Sequence, residues 1–406
     1  MMAEMTSPRR LLGLAGAVFA FLTVMLGTTM PTVLYPLYRQ EFGFSEVIIT
    51  VIFAVYAGGV ITALLAMGRW SDQIGRRPML LLGLICAGAS DLIFWQAQGL
   101  GWLLAGRFVS GLSAGIYTGA ATVAVIELAG PRLREAGTFA AIAANLGGLG
   151  VGPLFAASMV ALLSGPLAAP YLSHLALAGI AVLLILAAPE TVHIPSRPRL
   201  QFQRLSLPRE VVPVFVPAAI AAFAGFMVAG FFTAVSPAYL GEVLGRHSPF
   251  LIGLDVASLL ISSVVGQLAL GLLPSGRRLP IGVSILFCGV VILAAGLGLA
   301  LLWLIFLGAM VAGFGHGIGL RAGLGNVAQA APETERAGVT STFFTVAYVA
   351  ISLPVVGVGL ASAEFGLRAT SLGFAGIVAT LCLIAIALLL RGTRRGTGRG
   401  TAQAAE

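Results

Sequence analysis

Gly68-Arg69-Trp70-Ser71-Asp72-Gln73-Ile74-Gly75-Arg76-Arg77-Pro78 is a charged loop held between two apolar runs, roughly 46–67 and 78–97. Its glycines permit a tight turn, and Pro78 suits the first turn of a helix. Each flanking run has about the 20 residues needed to cross the hydrocarbon core of a bilayer. The loop therefore reads as a polar turn on one membrane face, joining two spans. Outward from it the pattern repeats, giving twelve spans at roughly 12–35, 46–67, 78–97, 102–129, 137–163, 170–188, 211–240, 250–273, 280–298, 300–329, 337–360 and 368–390. Backbone polar groups have no water to bind in lipid, so the spans are expected to be helices.

Composition agrees with that reading. Of 406 residues, 58% are hydrophobic and only 9% charged, with mean hydropathy +1.01, more apolar surface than a soluble domain can bury. Every one of the 23 basic residues is arginine, and their placement gives an orientation. Arg9, Arg10, Arg69, Arg76, Arg77, Arg132, Arg134, Arg197, Arg199, Arg204, Arg209, Arg277, Arg278, Arg336, Arg391, Arg394, Arg395 and Arg399 fall on one face, against Arg39, Arg246 and Arg368 on the other. The positive-inside rule places the arginine-rich face and both termini in the cytosol, within a bacterial-type cytoplasmic membrane. The net charge of +8 is thus a topology signal and implies no nucleic-acid partner. Arg9 and Arg10 precede an apolar run too long for a cleaved leader, so a retained first helix is expected. Cys86, Cys288 and Cys382 lie inside apolar runs and suggest packing rather than disulfides. Trp95 and Trp102 bracket the turn between spans three and four, where an interfacial aromatic belt puts them.

A shift of 201 residues brings Thr32, Pro36, Tyr38 and Glu41 onto Thr233, Pro237, Tyr239 and Glu242. It also aligns Gly75-Arg76-Arg77 with Gly276-Arg277-Arg278, Pro131 with Pro332, and Pro153 with Pro354; a shift of 202 puts Gly111 and Gly115 on Gly313 and Gly317. Two six-helix halves in the same orientation follow, related by an axis along the membrane normal. The division is 1–188, a linker at 189–210, 211–391, and a cytoplasmic tail at 392–406.

The 68–78 loop resembles the signature loop of the major facilitator superfamily. Leu103, Arg107, Gly111 and Gly115 look like that family's span-four pattern. Gly148, Gly152 and Pro153 resemble the span-five pattern of its bacterial drug or metabolite:proton antiporters, with Ala156 and Ala157 where the family often has glycines. Pro189-Glu190-Thr191 also recurs there. The resemblance implies a gate at the cytoplasmic face, formed by Asp72, Arg76 and Arg77 with Glu127 as the acid low on span four, and Asp72 beside the start of span eleven. It implies helix packing and a kink at Gly148, Gly152 and Pro153. The second copy of the loop lacks the aspartate.

Ionisable residues at membrane depth are costly and so become candidates for function. Asp91 and Arg107 are equidistant from the tip of the span-three/span-four hairpin, which predicts a direct ion pair, either structural or a proton carrier tuned by Arg107. Arg321 has no acidic neighbour in span ten; it either binds an anionic or zwitterionic substrate or reaches the surface and Glu333 or Glu335. His316 is a candidate for substrate or proton binding, or a hydrogen-bonded core imidazole. Asp255 is a second proton candidate, satisfied by solvent or Arg246. Tyr35, Tyr117, Asn145 and Tyr348 are candidate substrate contacts, with Thr28, Thr32 and Thr345 beside them. Span one has no acid, unlike many exporters of cations.

Gly111-Leu112-Ser113-Ala114-Gly115 matches a hydrolase string but lies within a span, lacking the strand-to-helix elbow that motif needs. The run Gly313 to Gly319 lacks a preceding strand, and there is no Walker sequence. The expectation is an all-α secondary transporter, not an enzyme, with no cofactor or metal, acting as a monomer on a small organic solute and protons. Proton-coupled efflux by antiport leads, uptake by symport of an anionic or zwitterionic metabolite follows, and a channel or membrane enzyme is remote.

Overall fold

The computed structural model describes residues 8–198 and 200–403, with side chains described for 9–198 and 200–391. Arg199, the side chains of Arg394, Arg395 and Arg399, and the last three residues of the expected tail lie outside the described residues. Twelve long helices account for nearly all of the rest. They are α1 (Pro8–Thr29), α2 (Glu46–Met67), α3 (Arg76–Trp95), α4 (Leu100–Ala129), α5 (Arg134–Leu162), α6 (Ala169–Ala187), α7 (Val212–Ala234), α8 (Pro249–Ala269), α9 (Arg278–Leu299), α10 (Leu302–Ala330), α11 (Arg336–Phe365) and α12 (Leu367–Gln403). Each contains a stretch long and apolar enough to span a bilayer.

The packing of the first half is repeated in the second. α1 packs on α4, α5 and α6, α2 on α4, α3 on α4 and α6; α7 packs on α10, α11 and α12, α8 on α10, α9 on α10 and α12. The halves meet mainly where α2 lies on α11 and α5 on α8, the pair of contacts that a two-fold axis along the normal generates. Glycine sets the closeness of the matched crossings. A side chain at Gly111 would strike the backbone of α2 at Tyr56 and Gly59, and one at Gly313 or Gly317 the backbone of α8 at Leu259 or Ser263. Across the halves, Gly253 of α8 lies against the Pro153 carbonyl of α5.

Spans one and seven stop short of their expected ends. α1 ends at Thr29, and a tight turn at Met30–Val33 and a short helix at Tyr35–Phe42 follow; α7 ends at Ala234, followed by short turns at Ser236–Ala238 and Tyr239–Val243. Prolines 31, 36 and 237 in these segments remove backbone donors and break the long helices. Both hooks are pinned by the repeat-matched tyrosines. The Tyr38 hydroxyl donates to the Phe94 carbonyl at 2.9 Å, near the end of α3, and Tyr239 donates to Leu297 at 2.5 Å, near the end of α9. Burial pushes the Tyr38 phenol above its ordinary range, which keeps it a donor.

Tyr38→Phe and Tyr239→Phe each remove a buried hydroxyl-to-carbonyl hydrogen bond and are expected to cost about 1 kcal/mol. Thr32→Val removes a buried hydroxyl that has no partner and should leave stability unchanged or raised. Thermal unfolding midpoints in detergent check this, and a loss for Thr32→Val equal to that of the tyrosine variants refutes it.

Candidate functional site

The charged loop folds onto α4 at the arginine-rich face. Arg76 starts α3 and is largely buried. Its Nε and Nη2 donate to both Glu127 oxygens at 3.2 and 3.1 Å, while Nη1 donates to Asp72 at 2.6 Å and to Ser71 Oγ at 2.7 Å. This fork geometry suits arginine and not lysine. Thr191 adds a 2.5 Å bond to Glu127. Asp72, with a side chain 57% exposed, bonds Arg76, and among the described residues it makes no bond to the start of α11. The anion at a helix start is instead Glu190: its oxygens accept the backbone N–H groups of Arg76 and Arg77 at the first turn of α3, and that of Thr191. Arg77 contributes that N–H. Arg10 of α1 donates to the Glu127 and Leu128 carbonyls at the end of α4.

The predicted Asp91–Arg107 ion pair is not formed. The two residues sit at matching depth, but depth does not fix azimuth: the hairpin contact runs through Ser90, whose hydroxyl donates to the Gly106 carbonyl at 2.9 Å. One residue further along each helix turns about 100° away. Asp91 therefore faces α6 and α1, where its Oδ2 lies 2.6 Å from His174 Nδ1, and His174 Nε2 lies 2.9 Å from the Thr23 carbonyl. Arg107, fully buried, turns to α1 and α2. Its Nη1 donates to Thr28 O at 2.6 Å, and its guanidinium lies over the rings of Tyr56, Tyr35 and Phe53 at 4.9, 5.6 and 5.6 Å. Its Nε and Nη2 have no partner.

In the second half, Asp255 is neither solvated nor paired with Arg246. It is buried, accepting from Ser236 Oγ at 2.5 Å, with its other oxygen unpartnered. His316 sits midway along α10, 3.3 Å from Ser263 Oγ through Nδ1 and edge-on to Phe226, with Nε2 unpartnered. Tyr348 stacks edge-on to the same Phe226 and packs against the first-half core, toward Tyr56 and Thr118. Arg321 pairs with neither Glu333 nor Glu335. Its Nη1 donates to the Gln267 carbonyl of α8 at 2.6 Å, and no acid meets it among the described residues.

Tyr117 is buried against Phe21, donating to Leu80 O at 3.1 Å, and Tyr35 is buried against Arg107 at the edge of the small cavity between the hooks. Asn145 is half-buried on α5. Gly148 and Gly152 have no room for a side chain against α1, and Pro153 lies within α5.

The arginine-poor face is closed between the halves. At the arginine-poor face Arg39 bonds Glu46 and, across the halves, Glu242 at 3.0 Å; Thr50 lies against Gly359, and the cavity between the hooks holds about 20 Å³, room for one water. Toward the arginine-rich face, Gly119 of α4 and Gly325 of α10 have open space where a side chain would stand, and Val123 is exposed.

Sequence reasoning missed His174, Glu190, Ser236 and Gln267 as partners. His174 carries the same signal that picked out Asp91, an ionisable group inside an apolar run; the other three act through space in ways no spacing records.

Twelve spanning helices in two matched halves, with buried charges and one face closed, define a helical membrane transporter and not an enzyme. The model of the Major Facilitator Superfamily matches residues 17–353, and the chain belongs to that family. Multidrug resistance protein MdtL of Klebsiella pneumoniae is 35% identical over 89 residues, covering 22% of this chain and 23% of the relative. The acurin A biosynthesis cluster MFS-type transporter of Aspergillus aculeatus is 30% identical over 131 residues, 32% of this chain and 22% of the relative. The matched segments thus span less than a quarter of these relatives. Among solved structures, a bacterial homolog of the human lysosomal transporter Spinster, inward-facing and unoccupied, superposes with TM-score 0.76 at 16% identity over 95% of this chain and 98% of that one. The human organic anion transporter MFSD10 (TETRAN) gives 0.62 at 18% identity over 95% and 100%. Both share the fold.

Glu190→Ala removes the acceptor for the first turn of α3 and is expected to cost about 1–2 kcal/mol. Asp72→Asn is expected to change stability by less than about 0.5 kcal/mol, because Asp72 is exposed. Thermal unfolding of the two variants decides; the reverse order refutes this account of the loop.

Proposed function

We propose that the protein exports a small organic solute by proton-coupled antiport, working by alternating access from a bacterial-type cytoplasmic membrane, with the arginine-rich face and both termini in the cytosol. The halves 1–188 and 211–391 act as the moving units, joined by the 189–210 linker, within a monomer. The observation that carries the reading is the closure of the arginine-poor face across two matched six-helix units by Arg39 and Glu242, which is what one end state of a rocking carrier looks like. Arg76, Asp72 and Glu127 belong to the gate on the arginine-rich side, where the exposed Asp72 carboxylate has capacity for a further partner when that side closes. The antiport direction is supported by the Gly148, Gly152 and Pro153 pattern and by the segment shared with MdtL. The absence of a Walker sequence from the chain leaves ion gradients as the energy source.

Arg321 is the proposed contact for an acidic group on the solute. One arm of its guanidinium is held by Gln267, so the fork is oriented, and it lies one turn from the open space at Gly325. Asn145, Tyr348 and His316 are assigned to the same central region.

The test is proton flux into liposomes carrying a pH dye, with anionic, zwitterionic and cationic solutes on the wild type and Arg321→Ala. An anionic solute should move protons opposite to itself, and Arg321→Ala should lower that response by about tenfold, the loss of one charge-assisted pair. Co-directional flux replaces export with symport. A response to cations alone, unchanged in the variant, removes Arg321 from the site.

A further inference from the structure

Asp91 and His174 take no part in the gate and lie away from the open strip, yet their geometry fixes more than any other buried group. We infer that they form a single proton-binding site whose occupancy is read by α1. Its role in coupling rests on the antiport reading above; its capacity to hold a proton does not.

The proton count follows from the partners. The Thr23 carbonyl can only accept, so His174 Nε2 carries a hydrogen. Between Nδ1 and Asp91 Oδ2, at 2.6 Å, a second hydrogen must lie, since two lone pairs cannot face each other at that distance. Whether it rests on nitrogen or oxygen, the pair as a whole is neutral. Neutrality matters because both residues are buried, at 4% and 1% exposure, where a net charge has no compensation.

Unloading sends one of the two hydrogens to water as a proton. It leaves net charge −1 and one ring hydrogen for two acceptors, the Asp91 carboxylate and the Thr23 carbonyl. The carboxylate is the stronger acceptor, so the hydrogen stays on Nδ1 and a bare Nε2 faces the Thr23 carbonyl. A side chain at Gly27 of α1 would overlap the imidazole, so the ring packs directly on the helix that carries Thr23. The repulsion is relieved by moving the ring and α1 apart. The same helix holds Arg107 through the Thr28 carbonyl and bonds α5 from Thr29 Oγ1 to Leu149 O at 2.6 Å, so its displacement reaches the central layer.

The elements around the pair leave it in control of its own proton. α3 carries Cys86 and, at its far end, Arg76 and Arg77; α6 carries Tyr171; α1 has Arg9 and Arg10 at the arginine-rich end; α5 has Arg134 and Glu135 at that same end. α4 carries Arg107, Tyr117 and Glu127, and the preceding hook Tyr35, Tyr38, Arg39 and Glu41. Among these, Arg107 is the charge at similar depth, and its guanidinium is turned to Thr28 and three rings.

The test starts without a substrate. The whole chain, with its four histidines labelled with nitrogen-15, is placed in lipid nanodiscs and its imidazole signals are followed against pH. One set should vanish in His174→Asn, lose one ring hydrogen on unloading in the wild type, and shift its midpoint by more than about one pH unit in Asp91→Asn. An imidazole that titrates alike in the wild type and Asp91→Asn overturns the site. The second arm uses radiolabelled p-aminohippurate, an organic anion, in proteoliposomes. Both variants should lose its pH-driven movement by at least about tenfold while keeping its exchange without a gradient. Retained pH-driven movement overturns the coupling role. A wild type that exchanges the anion but does not move it under a gradient counts against the antiport reading, while the spectra still decide whether the pair binds a proton.

Discussion

The crossing of α4 over α2, and of α10 over α8, is the contact on which the rest depends. In a bilayer there is no hydrophobic force to press helices together, so closeness has to come from shape. Gly111, Gly313 and Gly317 supply it by leaving backbone against backbone. That closeness sets where the neighbouring residues point. Arg107 stands one turn from Gly111 and is driven into the space between α1 and α2; His316 adjoins Gly317 and is driven against α7, where Gly225 leaves room for its ring. The polar groups in these two halves are therefore placed by residues that have no chemistry of their own.

The repeat copies this skeleton but not the charges. By the same shifts, Arg107 matches Ala309, Asp91 matches Ile292, His174 matches Ala375, and Arg321 matches Gly119. Asp255 and His316 match Ala54 and Ala114. A small residue stands opposite each of these groups except Asp91, whose match is Ile292. The first half holds a carboxylate–imidazole pair and a caged guanidinium; the second holds a lone carboxylate, a lone imidazole and a half-buried arginine. The placing of the proton pair in the first half and of the Arg321 contact in the second follows this asymmetry.

The fold was legible because lipid writes it into composition. Apolar runs of spanning length, arginines on one face and prolines recurring at the 201-residue shift need no knowledge of side-chain direction. The site was legible only in part. Asp91 and Arg107 were rightly singled out as costly, yet wrongly joined, because sequence gives depth along a helix and the pairing is decided by a rotation of one residue. Glu190 illustrates a different limit. Its carboxylate caps a helix that begins more than a hundred positions earlier, and nothing local to Pro189-Glu190-Thr191 points to Arg76. Ser236 and Gln267 meet their partners through a hydroxyl and a backbone carbonyl, groups too common to stand out in a sequence.

Arg107 bears directly on the proposed alternation between states. A guanidinium has five N–H donors, and here one arm finds the Thr28 carbonyl while Nε and Nη2 find none. Three aromatic rings offset part of the loss through their faces, at about 1–2 kcal/mol each where water is excluded. The buried donors remain a cost of the same order. Tyr35, whose ring lies against the guanidinium, belongs to the hook at the arginine-poor face, so on the alternating-access reading proposed above opening that face uncovers the donors to water. The closed hook is thus held by its own contacts, Tyr38 on Phe94 and Arg39 on Glu242, against a charge that gains when it opens. Opposed terms of similar size, within a few kcal/mol, are what keep two arrangements of one fold accessible to a carrier.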